Sequence, residues 1–235
     1  YLFHKKFLIV FCLINIYLIS IIFSGERMAL ILFLFGLLIT SFLIKDIKKI
    51  IMLAITISVI LFSSYLLFDR FKMRVDNFII TLGFQEQKFS DFGHAAHYMT
   101  AYEIFKNNKI FGTGHKTFRI SCDKDEIKKN INSKSQGCST HPHNNYLEVL
   151  SDSGLFGFFS FMFFAIFLIL KAIKNKLLKS EVSGFLITTL IIFWPISSIG
   201  NFFNNRTAVA NFFIFGILLY FSKKNIFFRN KFYKI

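Results

Sequence analysis

The chain has 235 residues, of which 54% are hydrophobic, 35 are phenylalanine and only 2 are proline. This composition excludes an ordinary water-soluble domain and is typical of a membrane protein. The formal net charge of +15 comes from short basic clusters between apolar runs rather than from one basic face, so we expect no nucleic-acid partner.

Six apolar runs are long enough to cross a hydrocarbon core, which is about 30 Å thick and takes about 20 helical residues. They lie at about 7–23, 28–44, 50–68, 153–170, 184–203 and 207–222. The runs predict an all-α integral membrane protein with about six transmembrane helices. Since the chain begins with Tyr1 rather than methionine, we expect it to be the C-terminal part of a longer protein.

Charge clusters between the runs predict which side of the membrane each connection occupies. The basic clusters "HKK", "KDIKK", "KAIKNKLLK" and "KKNIFFRNKFYK" alternate with less basic connections, and the positive-inside rule makes these four cytoplasmic. The turns "SGER" and "NNR" and the long segment 69–152 then face outward. The predicted division is three transmembrane helices at 1–68, a large outward-facing loop at 69–152, three more helices at 153–222 and a basic cytoplasmic tail at 223–235.

The outward segment carries most of the polar side chains that could do chemistry. Its part "HAAHYMTAYEIFKN", residues 94–107, has apolar residues at helical spacing and predicts a short amphipathic helix. The following "IFGTGHKTFRISC" predicts a strand or a tight loop that Gly112 and Gly114 allow to bend. A lysine-rich stretch and then "GCSTHPHNNYLEVLSDSGLFG" complete the segment.

The spacing of His143, Asn144, Gly154 and Gly157 resembles the His-Asn, Gly-x-x-Gly signature of the O-antigen ligase and polymerase superfamily. The upstream "NNKIFGTGHKTFR" is similar to the element that precedes this signature, and "SGER" is similar to the family's small-residue-plus-arginine turn.

This resemblance implies a membrane glycosyltransferase on the periplasmic face of the bacterial inner membrane. Its donor would be a glycan linked to undecaprenyl diphosphate, its acceptor a glycolipid or a glycan, and it would need no metal and no other cofactor. The family role of the functional histidine falls on His143, and that of an outward-facing arginine falls on Arg27. A second family arginine is replaced here by His94.

A histidine is only partly charged near neutral pH, so the replacement at His94 leaves diphosphate binding to other cations. We expect Arg119, Lys116 or Arg74 to supply them. His141 is a further candidate for substrate binding, and Asn144 is expected to orient the imidazole of His143.

The residue types fit this chemistry independently of the family. Glycan transfer from a diphosphate carrier needs a base for the acceptor hydroxyl, and histidine is the usual one near neutral pH. It also needs cations for the departing diphosphate, for which the fork of arginine suits better than the ammonium of lysine. His143 lies just ahead of "NNYLEVL", near a predicted helix N-terminus that also favours an anion.

Structural interpretations of the same residues remain open. His143 could cap its helix, and Arg27 could be an interfacial anchor. His94 and His97 could form a solvated helix face. A basic loop would account for Lys116 and Arg119, and close helix packing would account for Gly154 and Gly157.

The three cysteines fall in two environments. Cys12 lies in the first apolar run, where we expect it to pack, whereas Cys122 and Cys138 both lie in the outward segment. An oxidising periplasm permits a disulfide there, and closing a loop of about 15 residues stabilises by about 3 kcal/mol. A zinc site from these two cysteines with His141 and His143 is the alternative, but the spacing is not a familiar one, so we predict no metal site.

Several functions share these features. A ligase would use the lipid A core as acceptor, a polymerase the growing glycan, and a protein O-oligosaccharyltransferase a protein. A transport component would carry charged residues within several spans, whereas these runs carry almost none. No Ser/His/Asp arrangement or His-Glu-x-x-His motif favours a hydrolase.

Overall fold

The protein is described here by a computed structural model that covers residues 2–43, 46–83, 94–130, 137–175, 177, 182–195 and 200–228. All regular secondary structure within these ranges is helical. The chain separates into two compact units, Tyr1–Glu86 and Gln87–Ile235.

Over its described residues, the first unit contains four consecutive helices. These are α1 (Leu2–Ser24), α2 (Arg27–Ser41), α3 (Ile47–Leu67) and α4 (Asp69–Gly83). α1 packs against α2 and α3, and α4 packs against α3. The carboxylate of Asp46 caps α3 by accepting a 3.1 Å hydrogen bond from the amide of Lys48, which satisfies one of the free amides at the helix start.

The second unit holds the other six helices of the described ranges. They are α5 (Ala95–Asn107), α6 (Phe118–Ser121), α7 (Asp125–Asn130), α8 (Asn145–Lys174), α9 (Ser183–Ile192) and α10 (Asn205–Phe228). α5 confirms the helix predicted at 94–107. Residues 108–117 form turns that lead into α6, so the predicted tight loop is correct up to residue 117, no strand forms there, and residues 118–121 are helical instead.

Three helices of the described ranges are long and apolar enough to cross a membrane: α1 from Phe7 onward, α3 and α8. α1 and α3 expose large apolar side chains such as Leu13, Ile55 and Phe62. Apolar residues around a helix suit contact with lipid tails rather than water. These helices fit an integral membrane protein.

The prediction of six spans is not confirmed by the described residues. α2 has 15 residues and α9 has 10, which correspond to about 22 and about 15 Å at 1.5 Å per residue. Both are shorter than a hydrocarbon core of about 30 Å. α9 ends where the chain approaches Pro195, because a residue before proline avoids the helical conformation. The predicted run 207–222 lies inside α10.

Aromatic packing joins the helices of the second unit. The rings of Phe161 on α8 and Phe202 meet edge-to-face at 5.0 Å, and those of Phe193 and Phe215 stack at 5.2 Å. Such pairs stabilise beyond the area they bury. This core holds the segment that starts at residue 200 beside α8.

A kink in α8 fixes the loop between α5 and α6. Gly154 has a φ of 63° inside α8. At this kink the amide of Leu155 donates to the carbonyl of Lys109 at 2.8 Å, and the amide of Gly114 donates to the carbonyl of Asp152 at 2.8 Å. Backbone hydrogen bonds therefore bind residues 109–114 to α8.

Candidate active site

Four histidines lie together at the N-terminal end of α8. The ring of His143 is 4.2 Å from that of His141, 4.8 Å from that of His94 and 5.3 Å from that of His97, measured between centroids. His94 is the N-cap residue of α5 and His97 lies in its first turn. Since α5 packs against α8, residues far apart in sequence meet at one point.

The backbone holds His143 in an uncommon conformation. Its φ is 56°, in the left-handed region that few residues other than glycine adopt. The next residue, Asn144, caps α8, and its Oδ1 accepts from the amides of Tyr146 at 3.0 Å and Leu147 at 3.1 Å. Its Nδ2 donates to the carbonyl of Pro195 at 2.8 Å. These bonds of Asn144 go to the backbone, so it positions His143 through the helix start rather than through a bond to the imidazole.

The electrostatic environment keeps His143 neutral. Burial lowers its pKa from 6.5 to about 4, helped by the positive charge that His141, His94 and His97 would carry if protonated. The pKa of His141 is also lowered, by burial first and then by His97 and His94. A neutral imidazole has one nitrogen with a free lone pair, so His143 can accept a proton.

A polar cleft of ≈ 210 Å³ lies beside the histidines. It is lined by Lys116, Arg119, Thr140, His141, Asn201, Asn204 and Asn205. The cleft thus brings together three of the predicted substrate-binding residues, Lys116, Arg119 and His141. Two cations and three amides give it the means to bind phosphate oxygens and sugar hydroxyls.

The position of Lys116 depends on a buried carboxylate. The amide of Lys116 donates a 2.7 Å hydrogen bond to Oδ2 of Asp152, and the φ of Lys116 is 59°. Asp152 is 3% exposed, so this bond is shielded from water. It fixes the loop that leads to Arg119 against α8.

The three asparagines of the cleft were missed by the sequence analysis, which treated "NNR" only as a turn. Asn201 lies at the outward end of the predicted run 184–203, and Asn204 and Asn205 lie in the outward turn that follows it. A cluster of amides on the same predicted face as His143 was the signal that could have identified them.

Arg27 lies in the first unit and lines a second cleft. This cleft, of ≈ 160 Å³, is formed by α1, α2 and α4. The guanidinium of Arg74 also lines it and occupies the space beside Gly25 that a Cβ atom would need. The remaining walls include one acidic residue, Glu26, and are otherwise mostly apolar: Ile21, Ile22, Leu30, Ile31, Phe71, Val75 and Phe78.

The structure joins Cys122 and Cys138 in a disulfide, with Cα atoms 5.2 Å apart. The bond ties the end of α6 to the segment that leads to His141. Because the two thiols are consumed, the alternative zinc site that used them has no thiolate ligands. Cys12, expected to pack, is exposed on α1.

The predicted solvated face of α5 is only half correct. His94 is exposed, but His97 is partly buried within the histidine cluster. Its Nδ1 is buried and has no hydrogen-bond partner among the described residues.

Most of the helices described above fall within a match to one known protein family. Residues 10–162 match the model of a family described as O-antigen ligase. The match covers more than half of the chain and includes Arg27, the histidine cluster and the α8 kink. No curated protein matches the chain significantly.

Proposed function

The chain belongs to the O-antigen ligase family, and we propose that it transfers a glycan from undecaprenyl diphosphate to the lipid A core on the periplasmic face of the bacterial inner membrane. The observation that carries the proposal is the position of His143. Its neutral imidazole lies at the start of α8, in contact with His141, which lines the polar cleft.

The proposed reaction is a displacement at the anomeric carbon of the donor sugar. His143 accepts the proton of the acceptor hydroxyl, whose oxygen forms the new glycosidic bond. The bond between the anomeric carbon and the diphosphate oxygen breaks, and undecaprenyl diphosphate leaves with the electron pair. Asn144 serves as a positioning residue, because it fixes the helix start behind His143.

The polar cleft suits the charged and hydroxylated parts of the substrates. We assign the donor diphosphate to Arg119 and Lys116, since charge-assisted hydrogen bonds to phosphate oxygens are the strong ones. The amides of Asn201, Asn204 and Asn205 can both donate to and accept from sugar hydroxyls. His94, at the family's arginine position, belongs to the histidine cluster and is assigned a secondary role in substrate binding.

Arg27 takes the family role of an outward-facing cation for the donor. Its cleft combines two guanidinium groups with mostly apolar walls, a composition that suits the apolar chain of a polyprenyl carrier. The predicted periplasmic placement of residues 69–152 is part of this proposal.

The test replaces the chromosomal gene by a His143→Asn variant. Asparagine tolerates the left-handed backbone better than most residues but cannot act as the base, so the variant isolates the imidazole. We expect long-chain surface glycan to disappear and its lipid-linked precursor to accumulate, with the protein present in the membrane at its normal level. His115→Ala, which removes a histidine outside the cluster, is the matched control.

The same experiment separates the possible acceptors. Single-unit chains on the surface would indicate a polymerase, and loss of glycan from proteins alone would indicate a protein O-oligosaccharyltransferase. Unchanged glycan of every kind with the variant present in the membrane would contradict the transferase proposal.

A further inference from the structure

We propose that His94, His97 and His143 form a binding site for a divalent transition-metal ion such as Zn²⁺, and that the metal inhibits the enzyme by occupying His143. One ligand nitrogen of each histidine lies within 4.8 Å of those of the other two. The binding stands on this geometry alone, whereas the inhibition rests on the proposed function of His143.

The fold builds this three-histidine site from two elements that pack against each other. His94 and His97 are three residues apart at the start of α5, so their side chains share one helix face. α5 packs against α8, and His143 immediately precedes the cap of α8. The left-handed φ of His143 places its ring against the other two, 4.8 and 5.3 Å from them.

The distances are close to those that a metal needs. Zinc–nitrogen bonds of about 2.0–2.1 Å in a tetrahedral site place ligand nitrogens about 3.3 Å apart. The nitrogens lie within 4.8 Å of one another, and we expect rotation of the side chains to close the remaining difference. Three protein ligands leave a fourth position for water.

The donor set selects the class of metal. Among the described residues the cluster includes imidazoles and no carboxylate oxygen. Imidazole suits zinc, copper and nickel, whereas magnesium and calcium prefer oxygen ligands. A metal binds unprotonated imidazole nitrogens, and Nδ1 of His97 is buried without a hydrogen-bond partner among the described residues.

A metal at this site inhibits the enzyme because it competes with a proton for the same nitrogen of His143. A neutral imidazole has only one nitrogen with a free lone pair. When a metal takes the lone pair of His143, the residue can no longer accept the proton of the acceptor hydroxyl. A metal bound here therefore blocks the proposed base rather than assisting the reaction.

The binding test uses the full chain in detergent, purified through a tag without histidines, with Cys12→Ser to remove the exposed thiol. Zn²⁺ is titrated in competition with a chromophoric chelator. We expect one Zn²⁺ per chain, at least tenfold weaker binding in His94→Ala and in His97→Ala, and no displacement by excess Mg²⁺. His115→Ala, a histidine outside the cluster, should bind as the parent does. His94 is exposed, so that variant should fold even if His97→Ala does not.

The inhibition test compares each variant with its own rate in the presence of chelator. Zn²⁺ should stop glycan transfer by the parent, chelator should restore it, and the His97→Ala variant should need at least tenfold more Zn²⁺. Absence of saturable binding, or binding that is unchanged in both His94→Ala and His97→Ala, overturns the site. Binding without inhibition of an active enzyme overturns the second half of the proposal. If the chain binds Zn²⁺ but transfers no glycan, the proposed function fails and the metal site stands.

Discussion

Gly112 and Gly154 lie against each other, and neither leaves room for a side chain. A Cβ atom at Gly154 would lie 2.7 Å from the amide nitrogen of Gly112 and closer still to the carbonyl of Ile110. A Cβ atom at Gly112 would overlap the backbone of Asp152 and Ser153. Both glycines have a positive φ, 68° and 63°. The contact joins the loop that carries Lys116 to the kink of α8.

We therefore expect Gly154→Ala to destabilise the protein strongly. The left-handed conformation alone costs a residue other than glycine about 1–3 kcal/mol, and the overlap adds to it. Thermal unfolding of the purified protein measures the loss. Gly184→Ala is the matched control, since a Cβ there meets nothing within 4 Å and alanine is the better helix former. Equal stability of the two variants would contradict the described contact.

The disulfide between Cys122 and Cys138 is expected to stabilise the segment that carries His141 and His143. The two cysteines are 16 residues apart, and closing a loop of about that length stabilises by about 3 kcal/mol. Cys122→Ala with Cys138→Ala should lower the unfolding temperature and glycan transfer together. A reducing agent should have the same effect on the parent protein and none on the double variant.

Cys12→Ala provides the control, because Cys12 is unpaired and exposed. A parent protein whose unfolding temperature is the same with and without reductant would show that the bond does not constrain this part of the chain.

Glu148 connects the start of α8 to the asparagines of the polar cleft. Its side chain is 2% exposed, and Oε2 accepts a 3.2 Å hydrogen bond from the amide of Phe202. Glu148→Gln keeps an acceptor oxygen and should lower the stability of the protein only slightly. Glu148→Leu leaves the buried amide without a partner, which costs about 1–3 kcal/mol, and should also weaken substrate binding because Asn201 and Asn204 flank Phe202. If both variants unfold at the same temperature, the hydrogen bond contributes nothing.

The parts of this site that depend on local signals could be predicted from the sequence. The helical spacing at 94–107 predicted α5, and the residues after His143 predicted a helix start there. Local chemistry is sufficient in both cases, because apolar periodicity and a capping asparagine act within one or two turns.

The contacts between distant segments could not be predicted in the same way. His94 and His97 meet His143 only because α5 packs against α8, and no local pattern encodes that packing. Hydropathy also gave no sign of where one of the apolar runs is interrupted. The run 184–203 looks continuous in composition, yet α9 ends at Ile192 because Pro195 interrupts the helix, and average hydropathy is insensitive to a single proline.

Arg119 is expected to contribute to donor binding in the polar cleft. Hydrogen bonds to charged groups contribute about 1.5–3 kcal/mol, so Arg119→Ala should lower kcat/KM for the lipid-linked donor by about 10- to 100-fold. Arg119→Lys keeps the positive charge but lacks the planar set of guanidinium donors, so its kcat/KM should lie between those of Arg119→Ala and the parent. The kinetics are measured with purified donor and acceptor, and Arg70→Ala, an exposed arginine of α4 outside both clefts, is the control. Equal losses in the alanine variants of Arg119 and Arg70 would remove Arg119 from the site.

The pH dependence of transfer tests the role of His143 directly. Its pKa is lowered from 6.5 to about 4, and a base works only when unprotonated, so a lower pKa keeps it active at lower pH. We expect kcat/KM to stay nearly constant between pH 7 and pH 5 and to fall as the pH approaches 4, with a chelator present so that no metal holds the imidazole. An acid limb near pH 6.5 in the parent protein would contradict this environment for His143.

A variant of its neighbour sharpens the pH experiment. After burial, the charge of His141 is the largest cause of the lowered pKa of His143. His141→Asn removes that charge and should move the acid limb to higher pH, whereas His115→Asn should leave it in place. Because burial is the larger cause, the limb of His141→Asn should still lie below 6.5. A limb that moves equally in both variants would mean that the profile reports general loss of structure rather than the proton on His143.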